Sequence, residues 1–163
     1  MSGFGGVLTV KNKCAMLGLI LGAAGCLETP PTYDGQVQLP PYIVMARVLP
    51  NPKDVSILVD RGRMNIKAPF RSEDLGTSLR AMFFVDSQFV TNQELGPSVF
   101  ADEDRSVEEN LNIEEGCHLV HLLLTHSDNI NRNSTSASDE SLAALVYWWV
   151  VVPTAEGEVH CPI

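Results

Sequence analysis

Basic residues are scarce in this chain: eleven stand against twenty acidic ones in 163 residues. Lys11 and Lys13 precede residue 26, whereas every acidic residue follows it, so the remainder sets nine basic groups against twenty acidic ones, a formal charge of −11. A surface this acidic repels nucleic acid and anionic lipid headgroups, and nucleic acid is excluded as a partner. Spanning runs are missing too. The uncharged stretch Cys14–Ala24 is about half of the roughly 20 apolar residues that cross a bilayer. Beyond residue 26 no long helical apolar period appears, which argues against a helical bundle. HExxH, Gly-x-Ser-x-Gly, a phosphate-cradling glycine loop and the dinucleotide glycine pattern are all absent. No cofactor is expected.

What is present first is an address. Lys11 and Lys13 form a basic n-region, Cys14–Ala24 an apolar core, and the small residues Ala23, Ala24 and Gly25 lead into Cys26. These are the parts of a secretory signal peptide. The ending resembles the lipobox of bacterial lipoproteins, with Ala23 where leucine is commonest. That resemblance implies removal of residues 1–25 as a signal peptide and lipidation, palmitate included, of Cys26. Leu27 replaces the aspartate that often retains lipoproteins at the inner membrane, so the resemblance also implies outer-membrane sorting. The partner this gives is the membrane, reached through a lipid anchor.

Residues 26–41 hold the lipidated cysteine and a tether, LETPPTYDGQVQLPP, with four prolines in fifteen residues. Proline removes backbone donors and fixes φ, so the tether is expected to be extended. From Tyr42 to Ile163 short apolar runs alternate with turn residues, the pattern of an all-β domain. Expected strands are Tyr42–Val48, Val55–Asp60, Met64–Ala68, Leu79–Asp86, Gln88–Thr91 or Ser98–Ala101, Cys117–His126 and Leu142–Val152. Ser106–Glu115 reads as a helical turn or two, Ser138–Ala144 as at most one more. Ser127–Ser141, rich in Ser, Asn and Asp, reads as a mobile loop.

Ile113, Gly116, His118, Val120, Leu122 and Leu124 resemble the penultimate strand of immunoglobulin-like and related bacterial sandwich domains. There a glycine precedes a tight corner, an aromatic follows, and alternate apolar residues enter the core. Tyrosine is usual at that corner, its hydroxyl bonding back to the chain; His118 stands there in this sequence. The resemblance implies an immunoglobulin-like β-sandwich of about seven strands, following the signal helix and the tether. It says little about activity, because sandwiches host many functions.

Four histidines follow residue 26. Strand alternation puts His118 and His126 on one face and His121 on the other, so that strand cannot converge them on one ion. Asp102, Asp104 and the nearby Glu103, Glu108 and Glu109 are weak candidates for calcium, since the spacing fits no EF-hand and charge runs are usually solvated. The last strand, Ala143–Val152, is apolar on both faces, whereas a half-solvated sheet alternates. One of Trp148 and Trp149 must point away from the core. Tyr147, Trp148 and Trp149 are therefore the candidate binding patch, covered either by the tail Pro153–Ile163 and neighbouring Arg and Lys stems or by an envelope protein or glycan.

Cys14 leaves with the signal and Cys26 carries lipid, so Cys117 and Cys161 remain as a pair in an oxidising compartment. Antiparallel return of the final strand brings its end beside Cys117, within reach of a disulfide. The alternative is a zinc site, since Cys117-His118 and His160-Cys161 each place a histidine beside a cysteine. The sequence thus leads to a lipid-anchored envelope protein with a non-catalytic structural or interaction domain. The alternative is an envelope metalloprotein or hydrolase using the histidines and the acidic segment.

Overall fold

Two-residue alternation of buried and exposed side chains runs along most of the domain's strands. Among the described residues these are β1 (Tyr42–Ile43), β2 (Ser56–Ile57), β3 (Arg63–Arg71), β4 (Leu79–Val85), β5 (Gln88–Leu95), β6 (Arg105–Asn112), β7 (Gly116–His126) and β8 (Ala143–Val152). The computed structural model describes residues 38–58, 62–100, 103–131, 136–155 and 161, which belong to one compact unit, Gln38–Ile163. The signal segment 1–25, Cys26, residues 27–37 of the tether, Asp102 and His160 lie outside the described residues. The folded unit opens at Gln38, four residues before Tyr42, and Gln38 and Leu39 are hydrogen-bonded to Asp128 and Asp74.

The strands form a three-stranded sheet, β1-β3-β6, facing a five-stranded sheet, β2-β8-β7-β4-β5. All neighbours are antiparallel except β2 and β8, which run parallel. This is an all-β, immunoglobulin-like sandwich. Met64, Ile66, Ala68 and Phe70 of β3 meet Phe83 of β4, Val120, Leu122 and Leu124 of β7, and Trp148 of β8 in one buried cluster. Trp148 supplies the largest side chain there, and its indole N–H donates to Pro50 O at 2.8 Å, so its polar end is satisfied inside the core.

Three local expectations give way to physical detail. Ser106–Glu115 does not form helical turns but mostly belongs to β6, where Glu109 occupies an inward register position opposite Ile66. With a carboxylate at that point, the buried Val107 and Leu111 stand four residues apart and imitate a helical stripe. Tyr42–Val48 is strand only at Tyr42–Ile43 and then tightens into a 3-10 turn, Met45–Arg47. Ser98 makes only an isolated bridge to Leu75, while β5 takes the whole of Gln88–Leu95.

Two turns carry residues of positive φ at the ends of the strands. Gly62 has φ +69°, and a Cβ there would run into the carbonyl oxygen of Ile113, whose N–H donates to Gly62 O at 2.8 Å. Asp86 and Ser87, at φ 52° and 67°, make the two-residue turn between β4 and β5, the mirror-image type that suits strand twist. The β7–β8 register pairs Cys117 with Val151, as the expected antiparallel return requires. Cys117 and Cys161 are joined in a disulfide with Cα atoms 5.4 Å apart.

Candidate binding face

The outer face of the five-stranded sheet carries the odd-numbered residues of β7 and β8. Register places Tyr147 opposite His121, His121 opposite Phe84, and Phe84 opposite Phe89. Four rings on four strands therefore stand in one row across the sheet. Tyr147 and His121 have centroids 5.5 Å apart, His121 stacks on Phe84 at 4.4 Å and 9°, and Phe89 meets Phe84 edge-on at 5.9 Å. Tyr147 and Phe89, the two ends of the row, remain 49% and 41% exposed.

Burial holds the His121 imidazole below its ordinary pKa, so the ring is neutral at neutral pH. Its Nδ1 is shielded from solvent and has no hydrogen-bond partner among the described residues. The row thus offers flat apolar surface, with the one polar ring nitrogen of its interior turned away from solvent.

Beside the row lies a groove of about 360 Å³ lined by Phe84, His121, Leu123, Ala137, Leu145 and Tyr147, with Glu140 at its rim. One wall is the segment between β7 and β8. Ile130 and Ala137 bridge to each other and pack with Ala143 over Met82, Phe84 and Leu123. Buried Asn129 is the hub of that wall: its Nδ2 donates to Thr125 Oγ1 and Asp139 O, both at 2.8 Å, and its Oδ1 accepts from Asp139 N–H at 2.9 Å. Asp139 in turn accepts from the N–H and hydroxyl of Ser141, which hold its carboxyl below the usual range. The described flanks of the expected mobile loop are therefore built into the domain. They give the apolar outer face part of its cover, while most of the expected covering tail, residues 156–160 and 162–163, lies outside the described residues.

The expected patch divides. Tyr147 and the half-buried Trp149 face outward. Trp148 does not belong to it, because it is opposite Val120 and enters the core with that residue. Leu145, 44% exposed, takes its place. Sequence reasoning missed Phe84 and Phe89, which lie on other strands; only cross-strand register aligns them with Tyr147.

The remaining candidates are dispersed. Asp104 binds Arg71 at 2.7 Å and Arg47 at 3.2 Å, and these cations hold its carboxyl low. Glu108 pairs with Lys67. His118 Nδ1 lies 2.7 Å from Asp86 Oδ2, and His126 Nε2 lies 3.0 Å from Asp74 Oδ2, while His121 belongs to the aromatic row. Among the described residues no three His, Cys, Asp or Glu side chains are grouped to hold a metal ion. Cys117 is bonded to Cys161 and not placed as a zinc ligand.

The sheet order defines an immunoglobulin-like sandwich, and its larger sheet presents an aromatic outer face. Among solved structures the chain is similar to the fibronectin(III)-like modules of Clostridium thermocellum CbhA, at 18% identity and a TM-score of 0.46. The match covers 77% of this chain and 53% of that one, so this chain spans about half of its neighbour's length. No protein-family profile and no curated protein matches the chain.

Proposed function

We propose that this is a lipid-anchored envelope protein whose sandwich domain is a non-catalytic interaction module, binding an envelope partner through the outer face of its five-stranded sheet. The observation that carries the reading is the aromatic row Tyr147–His121–Phe84–Phe89, open at both ends and flanked by an apolar groove. Exposed aromatic surface beside a groove is the composition of a contact site, because rings bury much area at little entropic cost. The anchor is Cys26, with residues 1–25 removed and the attachment on the outer membrane. The lipobox-like approach to Cys26 supports this part.

Crosslinking and affinity capture from intact envelopes test the binding reading, run in parallel on the wild type and on a Tyr147→Ser/Leu145→Ser variant. Both substitutions replace side chains that are exposed and outside the core cluster. The expected result is loss of a discrete crosslinked species in the variant. An identical set of adducts in both would overturn the assignment of this face. Mass spectrometry of the mature chain tests the anchor: Cys26 as first residue carrying acyl chains is expected, and an unmodified thiol would end that part of the reading.

A further inference from the structure

The chain enters the sandwich at one end, and that end is apolar in an unusual place. Gln38 Nε2 donates to Asp128 Oδ2 at 2.9 Å, and Leu39 N–H donates to Asp74 Oδ2 at 2.8 Å. Next to Asp74, Leu75 bridges to Ser98, and Gly76 N–H donates to Ser98 O at 3.2 Å. The chain then turns at Val99 and Phe100, where Val99 N–H donates to Glu103 Oε2 and Glu103 N–H to Phe100 O. These links gather Leu39, Tyr42, Leu75, Val99 and Phe100 at the entry end. All five are exposed, Val99 and Phe100 by 68% and 71%. Adjacent valine and phenylalanine at a loop tip expose apolar area that water disfavours.

We propose that this end rests on a zwitterionic phospholipid surface, with Val99 and Phe100 inserted at the headgroup–acyl boundary. The inference rests on the lipid-anchor reading and adds to it the side of the domain that meets the bilayer. Eleven residues, 27–37, separate Cys26 from Gln38. At no more than about 3.6 Å each they hold the entry end within roughly 40 Å of the anchor. A tether this short imposes a millimolar-scale effective concentration, so weak insertion suffices to keep the end docked. Tyr42 suits the interfacial level, where amphipathic rings collect.

Charge selects the kind of surface. Glu73, Asp74, Glu103, Asp104 and Asp128 outnumber Arg47, Arg71 and Arg105 at this end, which disfavours anionic lipid. A recess of about 330 Å³ there is lined by Leu39, Pro40 and Tyr42 together with Arg71 and Glu73. Its lining is mixed and not basic, since Arg71 there is already paired with Asp104, which again gives an anionic headgroup no cationic seat.

The test uses the lipidated full-length protein in phosphatidylcholine vesicles, with a photoreactive phenylalanine analogue replacing Phe100 and, separately, Tyr147. Flotation is read first and reports the anchor: the wild type floats and Cys26→Ser does not. Irradiation is then expected to give several-fold more lipid adduct from position 100 than from position 147. Flotation without preferential lipid adduct at position 100, or crosslinking there to a second copy or another protein, overturns the docking while the anchor stands. Failure to float overturns both. A rise in adduct when phosphatidylglycerol replaces part of the lipid overturns the zwitterionic assignment.

Discussion

His118 and Asp86 bind the tip of the β4–β5 hairpin to the start of β7. His118 Nδ1 is 2.7 Å from Asp86 Oδ2, and Leu119 N–H donates to Asp86 Oδ1 at 2.9 Å. The His118 ring packs over Gly116, where φ is +135° and an added Cβ would come within 3.2 Å of His118 Nε2. The corner where related sandwiches use a tyrosine hydroxyl is thus closed by an imidazole and a carboxylate on a neighbouring hairpin.

This pair makes stability depend on acid pH. Burial raises the Asp86 pKa, but the hydrogen bond to His118, the Leu119 N–H and the attraction of His118 outweigh it and leave the carboxyl low. A lowered carboxyl contributes stability above its unfolded pKa, and the contribution is lost as pH falls through the folded value. Asp86→Asn tolerates the positive φ and removes the charge. Urea titrations from pH 7 down to pH 2 are expected to show a cost below about 1 kcal/mol at neutral pH, since solvent screens the half-exposed group. The difference from wild type should vanish at the acid end. A constant difference across that range would mean that geometry, not charge, is what Asp86 supplies.

The two tryptophans should behave oppositely. Trp148→Ala empties the centre of the core and strands Pro50 O, so a loss of about 3–5 kcal/mol is expected. Trp149→Ser, on the outer face, should cost under about 1 kcal/mol. Chemical denaturation of the two variants ranks them, and comparable losses would contradict the inward register of Trp148.

Reduction of the Cys117–Cys161 bridge, 44 residues apart, should cost up to about 4 kcal/mol in the chain-entropy account. Thiol counting on denatured, unreduced chain should find neither cysteine free. Two reactive thiols from these positions would be incompatible with the bond.

Asn129→Ala removes the hub of the wall beside the aromatic row. It leaves Asp139 N–H without its acceptor and should cost about 2–3 kcal/mol. Amide exchange at Ser138 and Asp139 should quicken well beyond the global change. Unchanged protection there would show that Ile130 and Ala137 hold the segment without it.

Much of this architecture is legible in the sequence where alternation is unbroken. Val120, Leu122 and Leu124 enter the core as their spacing requires, and the antiparallel return of β8 puts Cys117 within reach of Cys161. Reading fails where one residue breaks the period: Glu109 at an inward position turned β6 into an apparent helix. The face of Trp148 could not be chosen because β8 is apolar on both sides, and only its register against Val120 decides. The aromatic row is illegible for a related reason, since its members lie 63 positions apart in the chain from Phe84 to Tyr147. Ile130 and Ala137 were the available sign that a polar loop was more than a connection. As apolar residues in a Ser- and Asn-rich segment, they need something to cover.

The disulfide also governs how the domain takes mechanical load. Gln38 is fastened near the His126 end of β7, whereas Cys161 is riveted to Cys117 at the other end of that strand. Tension applied between the entry point and the carboxyl terminus passes through the bridge straight into β7 and bypasses β8. The span from Cys117 to Cys161, 44 residues and roughly 150 Å of contour at about 3.4 Å each, cannot pay out while the bond is oxidised. The two-residue β1 is the first strand to take that load, paired with β3 at Tyr42 and Ile43, with Val44 N–H donating to Pro69 O and Leu49 exchanging hydrogen bonds with Lys67 beyond it. Under force the oxidised domain therefore yields first at its entry strand, and β8 with the wall of the groove stays folded until the bridge is reduced.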